Sequence, residues 1–205
     1  MSTPFLPRLA AACGAYFSVT LFLAVGDGGS GFSPIRFFFA LTALTSAIPF
    51  IAYLSRVLRE AEGADGWLAT ATLVTGVAGI TIKMTSGGPE LAAHRVAATS
   101  GSIHDALISM GGALTVISVF PLAAMCAAVA AAALRTHALP TWDAVFAALT
   151  AVALLLNGAA VDTQFMPALL MFMLWTLVTS VLLVRRAPRP HQHRTSTMVA
   201  SADAR

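Results

Sequence analysis

Charge is scarce in this chain: Asp, Glu, Lys and Arg make up 10% of its 205 residues, where soluble domains carry roughly a quarter. So few polar residues could not cover the surface of an ordinary water-soluble domain. Cysteine is nearly absent as well. Cys13 and Cys126 both fall inside apolar runs, so they read as small buried hydrophobes rather than as a disulfide or a metal pair. The net charge of +3 and pI near 9.4 come from basic residues at segment ends and in the C-terminal tail. No basic patch interleaved with aromatics accompanies them, which argues against a nucleic-acid partner. His-Glu-x-x-His, paired-cysteine and Gly-x-x-x-x-Gly-Lys motifs are missing, and the glycines at 26, 28, 29 and 31 read as a turn. No cofactor is expected.

What the chain has is hydrocarbon. Hydrophobic residues make up 58% of it and mean hydropathy is +0.81. Six apolar runs lie between Leu9 and Val184. A run of about 20 apolar residues spans a hydrocarbon core of about 30 Å as a helix. The expected fold is therefore all-α: a polytopic transmembrane helix bundle over residues 1–186. Its spans are placed at about 9–25, 35–54, 67–82, 103–134, 142–160 and 165–184. The first is longer than a signal-peptide core and lacks a clear small-x-small cleavage site, so it is expected to be a retained span. Pro34 should open the second helix, where a missing N–H is harmless. Pro49 and Pro121 should kink the second and fourth. Residues 187–205 are polar and aperiodic and read as a disordered cytoplasmic tail, in which His191 and His193 are solvated.

Arginine placement suggests an orientation. With both termini in the cytoplasm, nine basic residues (Arg8, Arg56, Arg59, Arg135, Arg185, Arg186, Arg189, Arg194 and Arg205) lie inside, against Arg36, Lys83 and Arg95 outside. That is a positive-inside bias, and it sets Trp67 and Trp142 at the inner interface. A plasma-membrane location is the corresponding expectation. Small residues at helical spacing (Gly14 with Ser18, Thr75 with Gly79, Ala123 with Ala127 and Ala131, Ala144 with Ala148 and Ala151) predict close helix packing.

The most polar stretch outside the tail, Lys83 to Asp105, reads as an outward loop with a short helix begun by Pro89. Glu90 and His94 would share a face of that helix. With His104 they form a candidate metal site. With His104, Asp105 and Asp162 they form a candidate catalytic set. The plainer reading makes Asp105 the closing acid of a capping box, Glu90 a first-turn acid on the helix dipole, and Lys83 a snorkelling end residue. Asn157, Asp162, Lys83 and the loop histidines could also border a polar vestibule. The acids and arginines between residues 56 and 65 are expected to be solvated or paired.

The segment Leu139-Pro140-Thr141-Trp142, opening an apolar helix after the basic turn Arg135-Thr136-His137, resembles small multi-pass membrane proteins of high-GC actinobacteria grouped under domains of unknown function. The likeness covers spans three to six. It implies a bacterial source and carries over no catalytic residue.

Three functional classes remain on this reading. The first is a non-enzymatic membrane component, with the bilayer and a membrane-protein partner or a second copy as its associates. The second is a small enzyme acting on a terpenoid or quinone-like lipid at the acid/His site. The third is a small-solute transporter, for which the spans offer few of the charged groups that such pathways use.

Overall fold

The computed structural model describes residues 5–26, 33–63, 66–97, 100–159 and 166–186, and every regular element among them is an α-helix. The helices are α1 (Phe5–Gly26), α2 (Pro34–Glu62), α3 (Trp67–Val96), α4 (Gly101–Thr136), α5 (Thr141–Ala159) and α6 (Met166–Arg186). All six are long and apolar enough to cross a membrane. Each packs on the next in sequence and α1 closes on α6, so the bundle is a ring. The ring is filled. Its buried residues form one cluster that includes Phe17, Phe50, Leu54, Met125, Val129, Leu154 and Trp175.

Close approach between helices rests on residues without a side chain. A Cβ on Gly79 would stand 2.7 Å from Leu122 Cγ and 3.2 Å from its backbone nitrogen. One on Gly76 would meet Met125 and Ile51, which joins α3 to α4 and α2 at one point. One on Gly14 would enter the ring of Phe50, joining α1 to α2. Lipid is as apolar as Leu, so such backbone contact is what holds membrane helices together. The expected alanine ridge on α4 divides: Ala123 is buried, while Ala127 is exposed.

The ring's closure carries polar bonds as well. Ser180 of α6 donates to the Ala11 carbonyl of α1 and accepts the Ala15 N–H at 3.0 Å. Phe17 and Phe172 meet edge to face, with centroids 6.1 Å apart.

The ends are closed locally. Pro34 stands in the first turn of α2, as its missing N–H predicts. Gly63 sits at φ 83 and ends α2, a conformation that costs glycine little. Glu62 then accepts the Ala69 N–H at 2.9 Å, capping α3. Arg56 pairs with Glu60 at 2.8 Å on the exposed face, and Arg59 donates to Thr70. His137 ends α4 in the left-handed region at φ 56, and its N–H bonds Ala133. Trp67 and Trp142, near the starts of α3 and α5, lie at the same end of the bundle and are exposed.

Two expectations need correction. The third span does not stop at residue 82. Helix α3 runs through Lys83, two glycines and Pro89 to Val96, so most of the supposed loop is helix and Glu90 and His94 are its last turns. Secondly, Asp105 does not cap α4. Ser100 is the N-cap, without a side-chain cap bond, and Asp105 is exposed in the second turn, where its carbonyl accepts from Ser109.

These extensions make α3 and α4 the longest of the six helices, with α2 close to α3 at 29 residues. Thirty and 36 residues give rods of about 45 and 54 Å, against a hydrocarbon core of about 30 Å. Helix α5 has 19 residues, and its Gly158 rests against Phe120, midway along α4. The stretch of α4 from Gly101 to Val119 therefore extends past the end of α5, paired with α3.

Candidate functional site: a polar seam between α3 and α4

Lys83 is the only lysine in the chain, and it lies within a membrane-spanning helix rather than at its end. Its ammonium is drawn across to α4, where it donates to Thr115 Oγ1 at 2.8 Å. The Thr115 hydroxyl donates to Ser86 Oγ at 3.3 Å, and Ser86 donates to the Lys83 carbonyl at 2.7 Å. One turn deeper, Ser118 donates to the Thr115 carbonyl at 2.6 Å. Gly111 completes the seam from α4. A Cβ there would stand 3.2 Å from the Ser86 carbonyl and 3.4 Å from Glu90 Cγ. Its missing side chain lets Glu90 lie along the same line, where its charge attracts Lys83. The spacing explains the convergence. Residues 83, 86 and 90 of α3 are i, i+3 and i+7, and residues 111, 115 and 118 of α4 are i, i+4 and i+7, so each set shares one helical face.

The seam is blind. Below Ser118 the α3–α4 contact becomes Gly79 on Leu122 and then Gly76 on Met125, both apolar. At its other end, Glu90 is exposed.

The other residues singled out from the sequence are not gathered here. His94 and Arg95 are exposed. His104 turns back to the hairpin, its Nδ1 3.1 Å from the Ala93 carbonyl. Asp105 is exposed. Asn157 stands one residue before Gly158, near the end of α5. Asp65, Asp162, His191 and His193 lie outside the described residues. Among the described residues, no group of three or more His, Cys, Asp or Glu side chains is placed to hold a metal ion.

A second buried polar group escaped the sequence reading altogether. Asp143, in the first turn of α5, is fully buried. An acid at this position usually accepts the N–H of the N-cap residue, but that residue is Pro140, which has none. The Pro140 carbonyl still accepts the Asp143 and Ala144 N–H groups. The carboxylate turns instead to α6, where Thr179 donates to it at 3.1 Å. Arg186 supplies an attracting charge and donates to the Ala138 carbonyl. The one sequence cue was an acid three residues after Pro140; its partner lies 36 residues away in the chain.

Six apolar spanning helices with a charged seam and a buried carboxylate define a multi-pass α-helical membrane protein. No protein-family model, curated protein or solved structure matches the chain.

Proposed function

We propose that the protein is a non-enzymatic component of a bacterial plasma membrane that works as a partner subunit, with both termini cytoplasmic and the α3–α4 overshoot outside. The observation carrying this reading is apolar surface on the part of α4 that runs past the end of α5. Ile103 and Met110 are 53% and 55% exposed. With Ala106 and Ala113, also exposed, they repeat every three and four residues along α4. This is the spacing with which one helix receives another. Beyond the hydrocarbon such a stripe would face water, so a helix of a second membrane protein is the occupant that suits it. Arginine asymmetry supports the orientation. The exposure of His94 and Asp105, and the bond that turns His104 to the Ala93 carbonyl, support this reading over an acid/His catalytic centre, and the apolar contacts below Ser118 support it over a transport path.

Purification from native membranes in a mild detergent tests the proposal. Wild-type protein should retain one stoichiometric membrane partner. Ile103→Ser combined with Met110→Ser should release it while the bundle still elutes as a single folded species. Wild-type protein that purifies alone, or a partner indifferent to both substitutions, would refute the reading.

A further inference from the structure

The charge order of the seam has a counterpart in lipid chemistry. An ammonium carries three donors. Among the described residues Lys83 meets one acceptor, Thr115. A cation with unfilled donors inside a membrane span is costly, and such residues mark binding sites. The hydroxyl protons around it are committed, Thr115 to Ser86 and Ser86 to the Lys83 carbonyl, so the spare donors belong to Lys83 and call for an anion. Seven residues further toward the open end stands Glu90, exposed, about 10 Å along the helix axis. The cation therefore lies nearer the bilayer centre and the anion nearer water, whichever face of the membrane this is.

Depth agrees. Lys83 lies 16 residues beyond the exposed Trp67, about 24 Å along α3. With Trp67 at one interface of a core about 30 Å thick, Lys83 sits just below the opposite headgroups, within snorkelling reach of them.

We propose that the α3–α4 seam binds the headgroup of a zwitterionic aminophospholipid, with its phosphate on Lys83 and its ammonium on Glu90. In such a lipid the phosphate adjoins the glycerol and the amine lies beyond it, in the same order as the two side chains. A primary ammonium donates hydrogen bonds to Glu90, whereas a trimethylated one cannot, and the neutral terminal glycerol of phosphatidylglycerol brings no cation to offset the Glu90 charge. The closed lower end of the seam suits a held lipid rather than a solute in transit. This inference is independent of the partner proposed for the α4 stripe.

The test is native mass spectrometry of the delipidated, detergent-purified full chain titrated separately with phosphatidylethanolamine, phosphatidylcholine and phosphatidylglycerol. Soluble phosphoethanolamine and inorganic phosphate serve as acyl-free competitors. Wild type should hold phosphatidylethanolamine about tenfold more tightly than either other lipid. Lys83→Met should lose that retention and Lys83→Arg should keep it. Glu90→Gln, at an exposed position, should leave folding intact and bring phosphatidylglycerol level with or above phosphatidylethanolamine. Equal binding of the three lipids by wild type, or an unchanged preference in both Lys83→Met and Glu90→Gln, would overturn the proposal. Displacement of the lipid by soluble phosphoethanolamine or inorganic phosphate at matched concentration would also overturn it, by assigning the site to a free solute.

Discussion

Gly79→Val should cost the bundle about 3 kcal/mol, at the upper end of what overpacking a tight interior costs, and should leave little folded protein in detergent. The first added carbon would stand 2.7 Å from Leu122 Cγ and 3.2 Å from its backbone nitrogen. A side-chain tip could swing away, but a branch point and a backbone atom cannot, so α3 and α4 would have to separate along their longest contact. Gly88→Val supplies the control on the same helix: nothing lies within 4 Å of a Cβ there, and its unfolding should match wild type within about 0.5 kcal/mol. Detergent-denaturation midpoints compare the two. A Gly79→Val protein as stable as Gly88→Val would mean that the α3–α4 seam is not packed as described.

Ser180→Leu should open the ring, with an expected loss of about 3 kcal/mol, since it adds volume to a packed contact and removes two bonds. Ser180 is fully buried and reaches α1 through both the Ala11 carbonyl and the Ala15 N–H. Ser180→Ala isolates the bonds from the bulk. It should cost about 1 kcal/mol, the scale of interhelical hydrogen bonds in membranes. A cysteine-crosslinking assay between α1 and α6 should report separation for the leucine variant and contact for the alanine variant. Retained contact in Ser180→Leu would contradict closure of α6 on α1 at this point.

The six spans were legible because apolar runs of bilayer length have few other uses. Pro34 was legible because the first helical turn is the one place where its missing N–H is harmless. The length of α3 was not legible. Lys83, Gly87, Gly88 and Pro89 look like the end of a helix, because they break the apolar period and include the weakest helix formers. Tertiary contact overrides that local preference. Gly87 lets Phe37 approach, Gly111 fits against the Ser86 carbonyl, and the Lys83 ammonium is held by Thr115. Glu90 and Lys83 were both visible as polar residues, but their shared seam depends on the pairing of α3 with α4, which no local pattern states. Asp143 was missed for a related reason. Next to Trp142 it resembles a solvated residue at a span end, and only the docking of α6 buries it against Thr179.

An α3–α4 hairpin that extends beyond the lipid, with Lys83 near the lipid boundary and Gly79 inside, can be tested directly. Single cysteines at positions 78, 83, 94 and 105, in a chain with Cys13 and Cys126 replaced by alanine, can be treated with a membrane-impermeant maleimide in sealed vesicles. Ala78 adjoins Gly79 on the exposed face of α3, so a cysteine there leaves the α3–α4 contact intact. Positions 94 and 105 should label rapidly from the same face, position 83 slowly, and position 78 not at all. Protection of positions 94 and 105 to the same degree as position 78, or their labelling from opposite faces, would contradict it.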